Sequence, residues 1–451
     1  MSAAPKTPLK EFARRRKELM ALLELNSIAI VPGANIVPRN NDVDFQFRQD
    51  SDFHYLTGFD EPDSVFVLVP GREHGEAILF CRERESEFER WHGSVTGPER
   101  AMQLYGLDDA FPVSDIDEIL PGLIEGKSKL YYAMGTHRDF DHRVIGWVKS
   151  LSGNKQSGAR PPGEFVQLGQ YLHELRLFKS AQEIEIMKQS ADITAEAHRR
   201  LMSITEPGMM EYELEAELRY TFMRNGARSP AYPPIVGSGG NACVLHYVQN
   251  DDQLRSGDLV LVDAGSEYEY YAADVTRTFP VNGKFTKAQR ELYEIVLQAQ
   301  AAAIAQVQPG NHWNQPHETA VCELTAGLVR LGLLDGNVDE LIEQRACEKF
   351  YMHRTGHWLG LDVHDVGEYK VDDQWRVFEP GMVTTIEPGL YIPDALDDVP
   401  DRYRGIGIRI EDDVLVTKDG NMVLTASAPR AIDEIEALMA AKGGPDGRLE
   451  L

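Results

Sequence analysis

The chain has 451 residues, 42% of them hydrophobic, which is enough for a large buried core and a prior of about two to three domains. Its 72 acidic against 46 basic side chains give a net charge of −26. That excess excludes a general nucleic-acid binder and argues against an anionic membrane surface as partner. Charge at this level reports solubility more than fold, so the expectation is a soluble globular protein.

From the N-terminus, the basic cluster Arg14, Arg15, Arg16 and Lys17 has no apolar stretch behind it. It reads as the solvated face of a first helix, not as part of a signal peptide. No run approaches the roughly 18 apolar residues of a membrane span. Cys81, Cys243, Cys322 and Cys347 lie far apart with no C-x-x-C pair. This composition suits a reducing compartment with ordinary buried thiols, excludes a cysteine-built zinc site, and points to the cytoplasm.

Val65–Val69 and Ala77–Phe80 read as strands around a turn at Gly71, and Leu130–Ala133 as another. The breaker cluster Ser152–Gly163 precedes a domain boundary, giving domains at 1–177 and 178–440 and a flexible tail at 441–451. Ser180-Ala-Gln-Glu183 is a capping box. Behind it Ile184, Met187, Ala191, Ala195, His198 and Met202 recur at helical spacing as far as Pro207-Gly208. Thr286-Lys-Ala-Gln289 opens a second helix that runs toward Pro309-Gly310, and Val321, Leu324, Leu328 and Leu331 mark a third. Strands are expected at 259–263, 273–279, 382–387 and 406–416. Helices interleaved with an antiparallel sheet make the second domain α+β.

The chemistry lies at the ends of these strands. Leu259-Val-Leu-Val-Asp263 is apolar until it ends in a carboxylate beside Ala264-Gly265, and a buried Asp needs a cation or strong donors. Asp274 sits in the following run, where a hairpin can set both carboxylates on one face. Two such carboxylates repel unless a cation lies between them. Glu387 ends Met382–Ile386 beside Pro388-Gly389, Glu411 ends Ile406–Ile410, and His353, His357 and His364 fall in one Gly-interrupted stretch. Arg354 follows His353, so this is not the H-E-x-x-H zincin helix. Each residue alone also fits a capped turn or a surface acid. Together Asp263, Asp274, His357, Glu387 and Glu411 offer an oxygen-rich set with one nitrogen. Such a set suits Mn²⁺ or a similar ion and is large enough for two metals sharing carboxylates.

Gly257–Gly265, Ala273–Phe279, Gly356–Asp365, Ile386–Tyr391 and Gly407–Asp412 resemble the bacterial Xaa-Pro aminopeptidases (aminopeptidase P) of the pita-bread metallopeptidase family. Asn41–Phe59 resembles that family's N-terminal domain and Leu175–Ser180 its domain junction, so the resemblance covers nearly the whole chain. It implies a creatinase-like mixed α/β domain followed by a pita-bread catalytic domain. It also implies hydrolysis by a dimetal centre, most simply two Mn²⁺, of peptides with proline in the second position.

In that resemblance Asp263 and Asp274 bind one metal, Asp274 and Glu411 bridge both, and His357 and Glu387 complete the other, with Glu387 as proton shuttle. His246 and His364 match histidines that hold substrate and stabilise the oxyanion, and His353 and Arg409 match further substrate-contact or supporting positions. On residue type alone these four are weaker, since a lone His is more often a satisfied core residue. A homo-oligomer, dimer or tetramer, is implied if Trp91 and Asp52 approach a neighbouring subunit's site. The competing activity is that of a prolidase, which shares the ligands but takes only Xaa-Pro dipeptides. Creatinase-like relatives and a non-catalytic binding protein would lack the ligand set.

Overall fold

The computed structural model describes residues 6–153 and 158–441. The expected tail lies, from 442 on, outside the described residues, as does 154–157 of the breaker cluster. The chain forms two compact units, one from Thr7 to Arg176 and one beginning at Leu177.

The first unit is built on a six-stranded mixed sheet. Its order is Asp109–Pro112, Ala77–Cys81, Val65–Leu68, Ser27–Pro32, Lys129–Tyr132 and Glu164–Gln167. Ser27–Pro32, Val65–Leu68 and Ala77–Cys81 are buried at every position, which is why they read as unbroken apolar runs and not as an alternating pattern. Ile28, Val67, Ile78 and Phe80 pack there with Ile116, Leu120 and Trp147 from the flanking helices.

The first helix, Leu9–Leu22, departs from its expected solvated basic face. Arg15 and Arg16 are 0% and 4% exposed. Arg15 donates to the Tyr55 carbonyl at 3.1 Å, and Arg16 to the carbonyls of Leu56 (3.0 Å) and Gly106 (2.8 Å). Backbone acceptors brought in by later segments, invisible in a charge run, make these two guanidinium groups internal.

The second unit carries the long helices. Ala181–Ile204 and Lys287–Ile304 both begin in closed capping boxes, Ser180 with Glu183 and Thr286 with Gln289. Its sheets are antiparallel. Ile235–Ser238, Leu259–Asp263 and Thr276–Pro280 form one, with Asp263 opposite Thr276. Val383–Ile386, Asp412–Thr417 and Gly420–Val423 form another, and Gly389–Ile392 pairs with Ile406–Arg409. The expected single strand over 406–416 is therefore two strands. The chain leaves one sheet and enters the next at Ile410-Glu411. Of the cysteines, Cys81 and Cys347 are buried, but Cys243 is half-buried and Cys322 exposed.

Candidate metal centre

Leu259–Asp263 delivers Asp263 at its C-terminal end, and Asp274 stands just before the neighbouring strand Thr276–Pro280. The turn between them needs Gly265, because a Cβ there would lie 1.6 Å from the Ala273 carbonyl oxygen. Tyr232 completes this corner. Its Oη lies 2.6 Å from Asp263 Oδ1 and 2.5 Å from Asp274 Oδ1. Burial and the charges of Asp263, Asp274 and Glu411 push this phenol well above its usual range, so it keeps the proton it donates. A lone Tyr between Pro230 and Pro233-Pro234 carries no periodic signal, and sequence reasoning passed over it.

Asp274, His357 and Glu411 each offer a ligand atom within 4.8 Å of the others. His357 Nε2 lies 3.4 Å from Asp274 Oδ2 and 3.6 Å from Glu387 Oε1. Its Nδ1 is 2.9 Å from the Trp358 carbonyl oxygen, so the Nδ1 proton is spent on backbone and Nε2 faces the carboxylates. Burial alone would lower this imidazole. The interaction with Asp274 and the charges of Glu387 and Asp274 outweigh burial and raise it to about 9. Glu387 follows Val383–Ile386 and is raised to about 7, by burial first and then by Asp274 and Asp263 against the opposing pull of His357 and Arg409. Glu411 is 2% exposed and accepts the Thr276 hydroxyl at 2.6 Å. Burial, Asp274, Glu387 and Asp263 hold it well above the carboxylate range.

Four carboxylates thus converge, and burial together with the charges of their neighbours raises Asp263, Glu387 and Glu411. A divalent ion with bonds of about 2.0–2.2 Å spans donor separations of roughly twice that length, and the Asp274–His357–Glu411 spacing fits it. The donor set, mostly oxygen with one imidazole, fits a hard or borderline divalent metal.

The remaining expected residues divide. His364 is exposed and sets its ring edge-on to His357, with centroids 4.3 Å apart. His246 is exposed and close enough for its charge to act on both His364 and His353. Arg409, expected at a substrate-contact or supporting position, is 4% exposed. It donates to Asp263 Oδ2 at 2.6 Å, to Tyr391 at 3.0 Å and to Thr276 at 3.0 Å, so it holds Asp263. Both ring nitrogens of His353 are engaged, Nδ1 with the Arg354 carbonyl (2.8 Å) and Nε2 with Tyr391 Oη (2.8 Å), and burial lowers its imidazole to about 3. In the first unit Asp52 is bound by Arg176 at 2.7 Å and His173 at 3.1 Å. Trp91 is 79% exposed on a helix, Ser86–His92, with no buried residue.

Residues 12–131 match the family model of the aminopeptidase P N-terminal domain, and residues 185–418 match that of metallopeptidase family M24. The chain belongs to metallopeptidase family M24. It is a metallopeptidase with an aminopeptidase P-type N-terminal domain and a pita-bread domain behind it. Xaa-Pro aminopeptidase of Escherichia coli (strain K12) is 46% identical over 434 residues, 96% of this chain and 98% of its own. Among solved structures, Pseudomonas aeruginosa aminopeptidase PepP is similar with a TM-score of 0.96 and 55% identity, over 97% of this chain and 99% of that one. An Escherichia coli aminopeptidase P variant in complex with substrate matches at a TM-score of 0.95 and 45% identity, over 97% and 99% of the two chains.

Proposed function

We propose that this M24 metallopeptidase is an Xaa-Pro aminopeptidase, releasing the first residue of peptides that carry proline in the second position. The observation that carries this reading is the convergence of Asp274, His357 and Glu411 ligand atoms within 4.8 Å, in a chain that the Escherichia coli Xaa-Pro aminopeptidase matches over 96% of its length. In this reading residues 178–440 are the catalytic domain. Asp263 and Asp274 would hold one divalent ion and His357 and Glu387 the other, with Asp274 and Glu411 available to both. The oxygen-rich set favours Mn²⁺. When bound, such ions polarise the scissile carbonyl and make a water acidic enough to attack near neutral pH.

The chain's own residues do the rest. An Xaa-Pro bond has no N–H to donate and its ring fixes φ, so recognition rests on shape and on the carbonyl. Glu387 takes the proton of the attacking water and passes it to the prolyl nitrogen as the C–N bond breaks. His246 and His364, both exposed at the site, hold the substrate carbonyl oxygen as charge develops on it. Arg409 positions Asp263 through its 2.6 Å bond, and Tyr391 holds His353 through its 2.8 Å bond. Unpaired cysteines suit work in the cytoplasm, and the exposed Trp91 suits a homo-oligomer. No helix among the described residues is long and apolar enough to cross a membrane.

Mass spectrometry of Xaa-Pro-Yaa-Zaa digested by the Mn²⁺-loaded enzyme tests the reading. Release of Xaa, with proline left at the new N-terminus, is expected, and replacing that proline by alanine should cut kcat/KM sharply. Turnover of Xaa-Pro alone, with longer peptides intact, would make the enzyme a prolidase.

A further inference from the structure

His246 is exposed in a segment, 238–252, that starts at the last residue of the strand Ile235–Ser238 and then holds one short 3₁₀ turn at Gly239–Cys243. A catalytic side chain on such a loop must be held to a few tenths of an ångström by something rigid. One carboxylate does this. Glu211, 0% exposed at the start of the helix Glu211–Arg224, accepts five hydrogen bonds, all from uncharged donors in the segment. Oε1 takes the Ser238 amide (2.7 Å), the Ser238 hydroxyl (2.8 Å) and the Asn241 amide (3.2 Å). Oε2 takes the Tyr247 hydroxyl (2.9 Å) and the Asp252 amide (3.0 Å).

The partners are distributed in a telling way. Ser238 and Asp252 are the two ends of the segment, Asn241 lies in its 3₁₀ turn, and Tyr247 is the chain neighbour of His246. From the other side the segment is wedged by Gly407, where a Cβ would lie 2.2 Å from the Ala242 carbonyl oxygen. Gly407 belongs to the strand that carries Arg409. Loop and metal-site strand therefore meet with no room to slide.

We propose that Glu211 is a positioning residue of the active site. It fixes both ends and the middle of segment 238–252, and thereby aims the His246 imidazole at the substrate carbonyl. This rests on the aminopeptidase reading above only for what His246 does, not for how the segment is held. A structural role alone would lower stability. A positioning role must also act through His246.

The test is a double-mutant cycle with Glu211→Gln and His246→Ala on the Mn²⁺-loaded enzyme, with metal content measured for each variant. Glu211→Gln turns one acceptor into a donor facing the donors of the segment. It should leave the metals bound and lower kcat/KM by about 10²-fold, the scale of a small misplacement of a catalytic group. In the His246→Ala background the same change should cost less than a tenth of that. An equal loss in both backgrounds, or no loss in either, overturns the proposal. If Glu211→Gln does not fold, Tyr247→Phe removes one of the five bonds to Glu211, together with the longer bond to Asp251 (3.3 Å), and should give a smaller loss that likewise vanishes without His246. Hydrogen exchange decides the holding role independently of any substrate. The Ser238 and Asp252 amides should exchange faster in the variant while Leu259–Asp263 stays protected, and unchanged exchange at those two amides would refute it. Absence of Xaa-Pro cleavage by the wild-type enzyme would instead refute the aminopeptidase reading and leave the exchange result standing.

Discussion

Glu411 and Asp412 are neighbours in the chain, 2% and 0% exposed, and they have opposite surroundings. Asp412 accepts from Arg277 (2.7 Å), Thr425 (2.7 Å), Gln300 (2.8 Å) and Arg430 (3.0 Å). Its partner Arg277 is itself 0% exposed and also bonds the carbonyls of Glu411, Ala428 and Pro429. Glu411 takes one hydroxyl, from Thr276, and otherwise faces Asp274, Glu387 and Asp263, with Arg409 as an opposing cation. Thr276 and Arg277 divide the same way, because successive side chains of a strand point to opposite faces. On one face the cations that neutralise buried carboxylates are built into the chain. On the other the carboxylates outnumber them, and a metal ion is the natural complement. Burial and charge alone therefore do not mark a ligand.

The contrast is broken most severely on the acidic face. Asp274→Ala or Glu411→Ala should lose metal, read by elemental analysis, and with it several kcal/mol of transition-state stabilisation, about 10³-fold or more in kcat. Full metal retention in either variant would show that the carboxylate is not a ligand. On the opposite face Arg277→Met leaves Asp412 short of its main cation. It should cost about 3–5 kcal/mol of stability, measured by denaturant unfolding, while the molecules that remain folded keep their metal.

A subtler separation comes from His364→Ala. The ring touches His357 but is exposed, so metal content should stay near wild type while kcat falls by roughly 10²–10³. Loss of a metal would place His364 among the ligands.

The smallest effect expected is the pH dependence of the chelated protein. Glu387 is raised from 4.5 to about 7 and His357 from 6.5 to about 9. Each group binds its proton more tightly folded than unfolded. The contribution from Glu387 is therefore complete below 4.5 and lost as pH rises to about 7, and that from His357 is complete below 6.5 and lost by about 9. The Tm of the metal-free protein should fall across this window. Added Mn²⁺ should restore progressively more stability as pH rises, because binding displaces these protons. A metal-free Tm that rises from pH 5 to 9 would contradict the acidic-face assignment.

Features encoded over a few adjacent residues could be read from the sequence by itself. The capping boxes at Ser180 and Thr286 begin helices because a side chain and a backbone amide three residues apart satisfy each other locally. The apolar runs at 65–68, 77–81 and 259–263 are strands because a fully buried strand has no polar face to show. Carboxylates closing such runs stood out for the same reason: an acid at the end of a buried strand needs a partner. The family resemblance lay in those same short motifs. What only the tertiary structure decided is which partner each acid meets. Asp412 and Asp413 follow Glu411 directly and look alike in sequence, yet Asp412 meets Arg277 and Arg430 from distant segments. Tyr232 reaches Asp263 and Asp274 from outside their strands, and Glu211 reaches segment 238–252 from a helix. Arg15 and Arg16 are internal because carbonyls some 40 residues away turn toward them. Electrostatic neutralisation and hydrogen-bond satisfaction act through space between segments remote in the chain, so no local pattern records them.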